Sequence, residues 1–132
     1  SFDFDTGEGI RNGAALIGPG GWERAPRYDK RHLVPFGEYV PARDLLPFLN
    51  KLARNAGDFV PGERAVLLPA GGERLGLSIC YEVVFPDPVA EEVRDGATVL
   101  VTITNDAWYG DTSAPWQHFR AARFRGNPPQ KD

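Results

Sequence analysis

The stretch Leu75-Gly-Leu-Ser-Ile-Cys-Tyr-Glu-Val-Val-Phe-Pro-Asp87 contains the only cysteine of this 132-residue chain. Large and small side chains alternate from Leu75 to Cys80, which is the period of two expected of a β-strand. We expect the bulky set to face the core and the small set to face the other side. Pro86 then favours the start of a helix. The stretch therefore predicts a strand, a thiol at its end, and a helix that follows.

The rest of the chain alternates in the same way, with glycine- and proline-rich loops between the predicted elements. Residues 1–13 are polar and glycine-rich and are predicted to form a loop, and residues 28–41 contain too many prolines for a helix. The predicted strands are 14–18, 65–69, 74–80 and 97–104, and the predicted helices are 42–54, 86–95 and the amphipathic segment 114–125. Strands that alternate with helices indicate an α/β layered domain.

Composition limits the classes of protein to which the chain can belong. Hydrophobic residues make up 42% and charged residues 25%, which is typical of a single globular domain. The net charge of −3 does not favour nucleic acid as a partner, and one cysteine cannot form an internal disulfide. No apolar run approaches the roughly 18 residues that a membrane-spanning helix needs.

Cys80 has two interpretations. At a strand-to-helix corner, backbone N–H groups can stabilise a thiolate and also hold an oxyanion, so Cys80 is a candidate nucleophile. Alternatively, Cys80 is a small buried side chain, as free cysteines often are. Glu82 is likewise either part of such a site or a carboxylate that stabilises the start of a helix.

A second candidate cluster lies in the irregular segment 28–41. Lys30 and Glu38 are eight residues apart with apolar neighbours, and a buried ammonium needs a carboxylate partner. A lysine fixed in this way could lower the pKa of a nearby thiol and stabilise negative charge on an acyl oxygen. The alternative is a solvated charge run of Asp29, Lys30 and Arg31.

A third cluster, Thr104-Asn-Asp-Ala-Trp-Tyr-Gly-Asp111, directly follows the predicted strand 97–104. Open α/β sheets place ligand sites at the carboxyl ends of their strands, so Asn105 and Trp108 are candidate substrate-binding residues. Asn105 and Asp106 could instead only form a turn.

Together these segments resemble the nitrilase superfamily and, more narrowly, its membrane branch, the apolipoprotein N-acyltransferases. The resemblance rests on Tyr28-Asp-Lys-Arg-His-Leu-Val-Pro-Phe-Gly-Glu-Tyr-Val-Pro41, Ile79-Cys-Tyr-Glu82, and Asn105-Asp-Ala-Trp-Tyr-Gly110 with Pro115-Trp-Gln-His-Phe119. It covers about residues 11–125, and it favours the nucleophile interpretation of Cys80 over the buried one.

The resemblance implies a fold and a set of roles. The fold is an αββα sandwich, here incomplete. Cys80 matches the nucleophile that carries a fatty acyl group as a thioester, Lys30 the essential lysine, and Glu38 a glutamate that supports it. Glu82 and Tyr81 match positions that line the thiol pocket. Glu82 is expected to be a catalytic residue and Tyr81 a substrate-binding residue. Trp108 falls in the loop at the mouth of the site.

The resemblance also implies the partners and the location. Phospholipid donates the acyl group, and a diacylglyceryl-modified lipoprotein accepts it. The parent enzyme lies in the bacterial inner membrane with its catalytic domain on the periplasmic side, and it needs no metal or organic cofactor. A soluble carbon–nitrogen hydrolase and a remnant without catalysis are the alternative functions.

Three features depart from the family pattern. The family's glutamate base is not recognisable, because Glu8 and Glu23 lie in surroundings unlike its motif, and we assign neither. The 132 residues contain no membrane helices ahead of the domain, and residues 126–132 are expected to form a divergent tail. From these departures we expect a fragment that does not turn over lipoprotein substrate on its own.

Overall fold

The computed structural model of the chain describes residues 2–5, 7, 9–41, 59–105 and 110–126, without the side chain of Glu23. Within these residues the strands form two three-stranded sheets. The predicted helix 42–54, Asp106, Trp108, Glu8 and most of the predicted tail lie outside this part of the chain.

The first sheet is antiparallel and consists of β1 (Phe2–Asp5), β2 (Ile10–Ala15) and β3 (Arg27–Asp29), in that order. The prediction of a loop over residues 1–13 was therefore wrong. Phenylalanine and aspartate alternate along β1, which is the strand period, and this signal outweighs the neighbouring glycines. Segment 28–41 is confirmed to lack a helix, and its first two residues complete β3.

The second sheet consists of β4 (Leu68–Ala70), β5 (Glu73–Ile79) and β6 (Val99–Ile103). β4 and β5 form an antiparallel hairpin around Gly71 and Gly72, which both have positive φ, whereas β5 and β6 are parallel. β5 confirms the predicted strand 74–80 with a shift of one residue, and β6 is a shorter form of the predicted strand 97–104. β4 overlaps the predicted strand 65–69 only at residues 68 and 69. The parallel pair needs a crossover connection, and the helix Pro86–Arg94 between β5 and β6 supplies it.

The core lies between the two sheets. Ala14 and Tyr28 from the first sheet pack with Leu68, Leu77 and Ile79 from the second, and all five are buried. The bulky face of β5 therefore faces the core, as its alternation predicted. Packing of two sheets against each other in this way creates one continuous apolar layer.

Helix α1 (Pro86–Arg94) covers the other face of β5, so the small side chains of that strand meet a helix and not an open pocket. Gly76 shows why a small residue is needed, since a Cβ there would lie 2.8 Å from Glu92 Oε2 and 3.1 Å from the Cβ of Ala97. Helix α1 confirms the predicted helix 86–95.

The predicted helix 114–125 is confirmed as α2 (Ala114–Arg125). His118 is its one buried residue, whereas Trp116, Phe119 and Phe124 are exposed. Within the described ranges, no helix is long and apolar enough to cross a membrane.

Glu92 is a buried acid at the contact between α1 and β5. Its side chain is 1% exposed, and Oε2 has no hydrogen-bond partner among the residues that the structure describes. Burial, with the negative charges of Glu82 and Glu91 added and the charge of Arg31 opposed, raises the pKa of Glu92 to about 7. Glu92 therefore holds a proton in the folded state at pH values where an ordinary glutamate has released it.

We expect this proton to make the free energy of unfolding fall with rising pH. Because the folded-state pKa is raised, the contribution of Glu92 is fully present below about pH 4.5 and is lost as the pH rises through about 7. A Glu92→Gln variant should lose less stability between pH 5 and pH 8 than the wild type, by on the order of 1–3 kcal/mol. Urea denaturation at both pH values measures the difference.

The matched control is Glu73→Gln, because Glu73 is exposed at the start of β5. It should leave the pH dependence of the unfolding free energy as it is in the wild type. Equal pH dependence in the wild type and Glu92→Gln would show that Glu92 is ionised in the folded protein.

Candidate active site

Cys80 lies at the carboxyl end of β5, where the strand passes into the 3₁₀ turn Cys80–Val84. Its φ is +54°, a left-handed conformation that is unfavourable for a residue with a Cβ by about 1–2 kcal/mol. Strain of this kind persists only where the surroundings fix it, and it is concentrated at functional sites. The half-buried thiol therefore stands on a sharp strand-to-turn corner.

The register of the second sheet brings a further predicted residue to the same edge. Ile79 pairs with Ile103 in the parallel ladder, so Cys80 and Thr104 leave the sheet side by side. Asn105 follows and is exposed. This edge is formed by the carboxyl ends of both strands, which is where the sequence predicted a ligand site.

Glu82 is buried, and its carboxylate accepts hydrogen bonds from four donors. Oε1 accepts from the backbone N–H of Arg31 at 2.7 Å and of His32 at 3.0 Å. Oε2 accepts from the N–H of Ile79 at 2.8 Å, and the Tyr28 hydroxyl lies 3.2 and 3.1 Å from the two oxygens. One carboxylate thus joins the loop after β3 to the end of β5.

Lys30 and Glu38 form the ion pair that the sequence suggested. The ammonium is 2% exposed and lies 2.7 Å from Glu38 Oε2. The same oxygen accepts from the N–H of Val34 at 2.8 Å, and Oε1 accepts from Asn12 Nδ2 at 2.8 Å. Because both carboxylate oxygens are hydrogen-bonded, the buried lysine has the geometry that makes such a pair stable. The solvated charge run considered for Lys30 is excluded by its burial.

The backbone also fixes the position of the lysine. The N–H of Lys30 donates to the carbonyl of Asn12, and its carbonyl accepts from the N–H of Gly62, both at 2.8 Å. A Cβ on Gly62 would lie 2.4 Å from the carbonyl oxygen of Asp29, so only glycine allows this approach. Val34 O then accepts from the N–H groups of Gly37 and Glu38, which turns Glu38 back toward the lysine.

A cavity of about 560 Å³ lies beside this arrangement. Tyr81 and Phe85 contribute from the 3₁₀ turn and its end, and their rings meet edge to face at 5.3 Å. The remaining walls come from two parts of the chain. The loop after β3, residues 30–41, is called the lysine loop and contributes Arg31, His32, Leu33, Pro35 and Tyr39, and Phe59 and Pro61 complete the lining. The volume is in the range of small-molecule sites, and most of the lining is apolar.

The structure thus brings Cys80, Tyr81 and Glu82 to one turn and ties Lys30, with Glu38, to that turn through its neighbour Arg31. No group of three or more potential metal ligands converges in the described ranges.

Three residues of the arrangement were not identified from the sequence as parts of the site. Tyr28 donates to Glu82 inside the core, and burial raises the pKa of its phenol, with the Glu82 charge adding to the shift. Asn12 holds Glu38, and Arg31 Nη1 lies 2.7 Å from Glu91 Oε2, which lowers the pKa of Glu91. Tyr28 and Arg31 lie within two residues of Lys30, and this proximity could have identified them as parts of the site. Nothing in the sequence around Asn12 indicated a role for it.

The strain at Cys80 predicts an unusual order of stability. Glycine adopts a φ of +54° without a Cβ clash, so Cys80→Gly should be about 1 kcal/mol more stable than Cys80→Ala. At Ser78, which is regular β5 strand, the order should be reversed, with Ser78→Ala more stable than Ser78→Gly. Urea denaturation of the four variants measures this, and greater stability of Cys80→Ala would contradict the strained corner.

Comparison with known proteins identifies the family of the chain and several of its relatives. The carbon-nitrogen hydrolase family model matches residues 1–127. The chain is 50% identical over 114 residues to an apolipoprotein N-acyltransferase of Geobacter metallireducens. The aligned region is 86% of this chain and 22% of that protein. It is also 50% identical over 101 residues to the apolipoprotein N-acyltransferase of Methylococcus capsulatus, covering 75% of this chain and 20% of the relative. The chain spans about a fifth of the length of these curated relatives.

A solved structure gives independent support for the fold. The carbon-nitrogen hydrolase of Helicobacter pylori G27 superposes with a TM-score of 0.62 at 16% identity, over 95% of this chain and 40% of that one. The two packed sheets with helices outside the second are thus part of the nitrilase-type α/β sandwich that the sequence predicted. From the match over residues 1–127, this chain belongs to the carbon-nitrogen hydrolase family.

Proposed function

We propose that this chain carries the thiol site of an N-acyltransferase. In this proposal Cys80 takes a fatty acyl group from phospholipid as a thioester and passes it to the N-terminal amine of a diacylglyceryl-modified lipoprotein. The names of the curated relatives support the reaction class. By the same resemblance, the parent protein would act at the bacterial inner membrane, with this domain on the periplasmic side.

The observation that carries the proposal is the connection between the thiol corner and the buried cation. Glu82 accepts hydrogen bonds from the backbone N–H groups of Arg31 and Ile79. Lys30 directly precedes Arg31, and Cys80 directly follows Ile79. A lysine held by Glu38 can stabilise negative charge that develops at the cysteine or on an acyl oxygen. Glu82 itself has all its donors from the protein, so in this proposal it is a positioning residue.

Two covalent steps complete the reaction. The Cys80 sulfur attacks the ester carbonyl carbon of the lipid, the C–O bond breaks, and the leaving alkoxide takes a proton to give a lysophospholipid. The amine nitrogen of the acceptor then attacks the thioester, the C–S bond breaks, and the proton lost by the amine restores the thiol. A thioester divides a difficult amide synthesis into two easier steps. Lys30 would stabilise the oxyanion in both steps.

The cavity suits the apolar part of such a substrate. Tyr81 is adjacent to the nucleophile and 38% exposed, and its ring forms part of the wall. We assign the cavity to the acyl chain of the substrate. Tyr81, which directly follows Cys80 in the sequence, would be the lining residue that contacts the acyl group beside the sulfur. Asn105 and Trp108 remain proposed substrate-binding residues at the neighbouring edge.

A carbon–nitrogen hydrolase activity is the second candidate, and the family match favours it. It would use the same cysteine and lysine, but water would accept the acyl group. The two functions differ in the acyl donor, an ester or a carbon–nitrogen compound, and in the acceptor. When both start from one common ester, the fate of the acyl-enzyme separates them.

The first step can be tested on the chain itself with p-nitrophenyl palmitate. Its phenolate leaves without acid assistance, so the assay needs only the nucleophile and the stabilising cation. Mass spectrometry should detect one palmitoyl group, sensitive to hydroxylamine, on Cys80. Cys80→Ala should abolish it, and Lys30→Met should slow it by about 10²–10³-fold because an oxyanion-stabilising group is lost.

Arg64→Gln is the control, since Arg64 is an exposed cation outside the site, and it should acylate at the wild-type rate. In a single turnover that starts from this thioester, so that no base has to activate the thiol, a diacylglyceryl-cysteine peptide should convert the thioester to an amide faster than water hydrolyses it. Hydrolysis without transfer would favour the hydrolase. A hydroxylamine-sensitive adduct in Cys80→Ala would disprove the nucleophile assignment.

A further inference from the structure

Asn12 and Lys30 lie opposite each other in the first sheet. The N–H of Lys30 donates to the carbonyl of Asn12 at 2.8 Å, just past the paired residues of β2 and β3. Within that ladder Ala14 pairs with Tyr28, and both side chains are buried in the core. Because side chains alternate along a strand and opposite residues share a face, Asn12 and Lys30 continue the same inward row.

The carboxylate of Glu38 joins these two side chains. Oε1 accepts from Asn12 Nδ2 at 2.8 Å, and Oε2 accepts from the Lys30 ammonium at 2.7 Å. The Glu38 side chain is 14% exposed and the Lys30 side chain 2%, so the ion pair is largely removed from water, where hydrogen bonds to it are stronger. Asn12 therefore supplies the hydrogen bond that fixes the oxygen of Glu38 that the lysine does not hold.

The amide of Asn12 is used for its donor and not for its acceptor. Oδ1 is buried and has no hydrogen-bond partner among the residues that the structure describes. A carboxylate only accepts, so turning the amide over would set two acceptors against each other at Glu38. A buried acceptor without a partner lowers stability. Packing alone therefore does not account for an amide at this position, whereas the donor to Glu38 does.

We infer that Asn12 is a positioning residue for the reaction at Cys80, because its hydrogen bond to Glu38 orients the Lys30 ammonium toward negative charge on the sulfur. The inference rests on the proposed role of Lys30. Without the donor, the carboxylate is free to rotate and to draw the paired ammonium with it. The backbone of Asn12 pairs in the sheet through its carbonyl, so a change of side chain leaves that pairing in place.

Asn12→Asp tests the inference within one protein, because a proton restores the donor. A protonated carboxyl group donates to Glu38 as the amide does, whereas an ionised one repels it. The neighbouring carboxylate raises the pKa of the introduced group above the ordinary value of about 3.9, so the donor is present at low pH and is lost as the pH rises.

The measurement is the rate at which iodoacetamide alkylates Cys80 in the whole 132-residue chain, because this reagent reacts with the thiolate. The rate for Asn12→Asp, divided by the wild-type rate at the same pH, should fall by about tenfold between about pH 5 and pH 8. Such a fall is the effect expected from the loss of one hydrogen bond to a charged group. Urea denaturation at each pH establishes that the variant is folded where its rate is measured.

Two variants serve as controls. Asn12→Leu keeps the approximate shape without a donor or a charge, so its ratio should be about one tenth at every pH. Gln117→Glu makes the same amide-to-acid change at an exposed position of α2, and its ratio should stay at one. In a Lys30→Met background, Asn12→Leu should cause no further loss, because Asn12 acts through the ammonium.

Ratios near one for folded Asn12→Asp at every pH would overturn the inference, and so would a low ratio that does not recover at low pH, which would assign the loss to packing. Alkylation needs no acyl donor and is therefore separate from the proposed transfer. Wild-type Cys80 that is alkylated but not acylated by p-nitrophenyl palmitate would contradict the proposed function, while the alkylation ratios would still decide the role of Asn12.

Discussion

The carboxylate of Glu82 is the interaction on which the site depends. It is fully buried and accepts from two consecutive backbone N–H groups of the lysine loop, from the N–H that precedes Cys80, and from a core tyrosine. Hydrogen bonds to a charged acceptor are roughly twice as strong as neutral ones. The donors belong to segments that are about 50 residues apart in the chain.

Two consequences follow from this one carboxylate. The unfavourable φ of Cys80 is maintained because the N–H before it is bound to Glu82 and the strand before it is locked in register with β6. The Lys30 ammonium keeps its place because the residue after it is bound to the same group. Backbone geometry thus holds Cys80 and Lys30 in place, while Glu38 and Asn12 complete the surroundings of the lysine.

The sequence predicted the parts of this arrangement that have a local cause. A lysine in an apolar segment needs a nearby carboxylate, which identified Glu38, and alternation along β5 identified the corner at Cys80. The role of Glu82 had no local cause, since three of its four donors are backbone groups whose positions depend on the tertiary fold. The sequence predicted helix α2 but not which side of it would be buried, where His118 lies. In β1, glycines nearby hid a two-residue period of phenylalanine and aspartate.

Amide hydrogen exchange in Glu82→Gln tests the central claim most directly. The glutamine amide keeps the shape of the carboxylate but replaces an acceptor by a donor, so the clamp cannot satisfy all its N–H groups. The account predicts that Arg31, His32 and Ile79 lose protection together, while the Lys30 amide, bound to Asn12 within the first sheet, retains it. Unchanged protection of Arg31, His32 and Ile79 would contradict the claim that Glu82 joins the lysine loop to the cysteine corner.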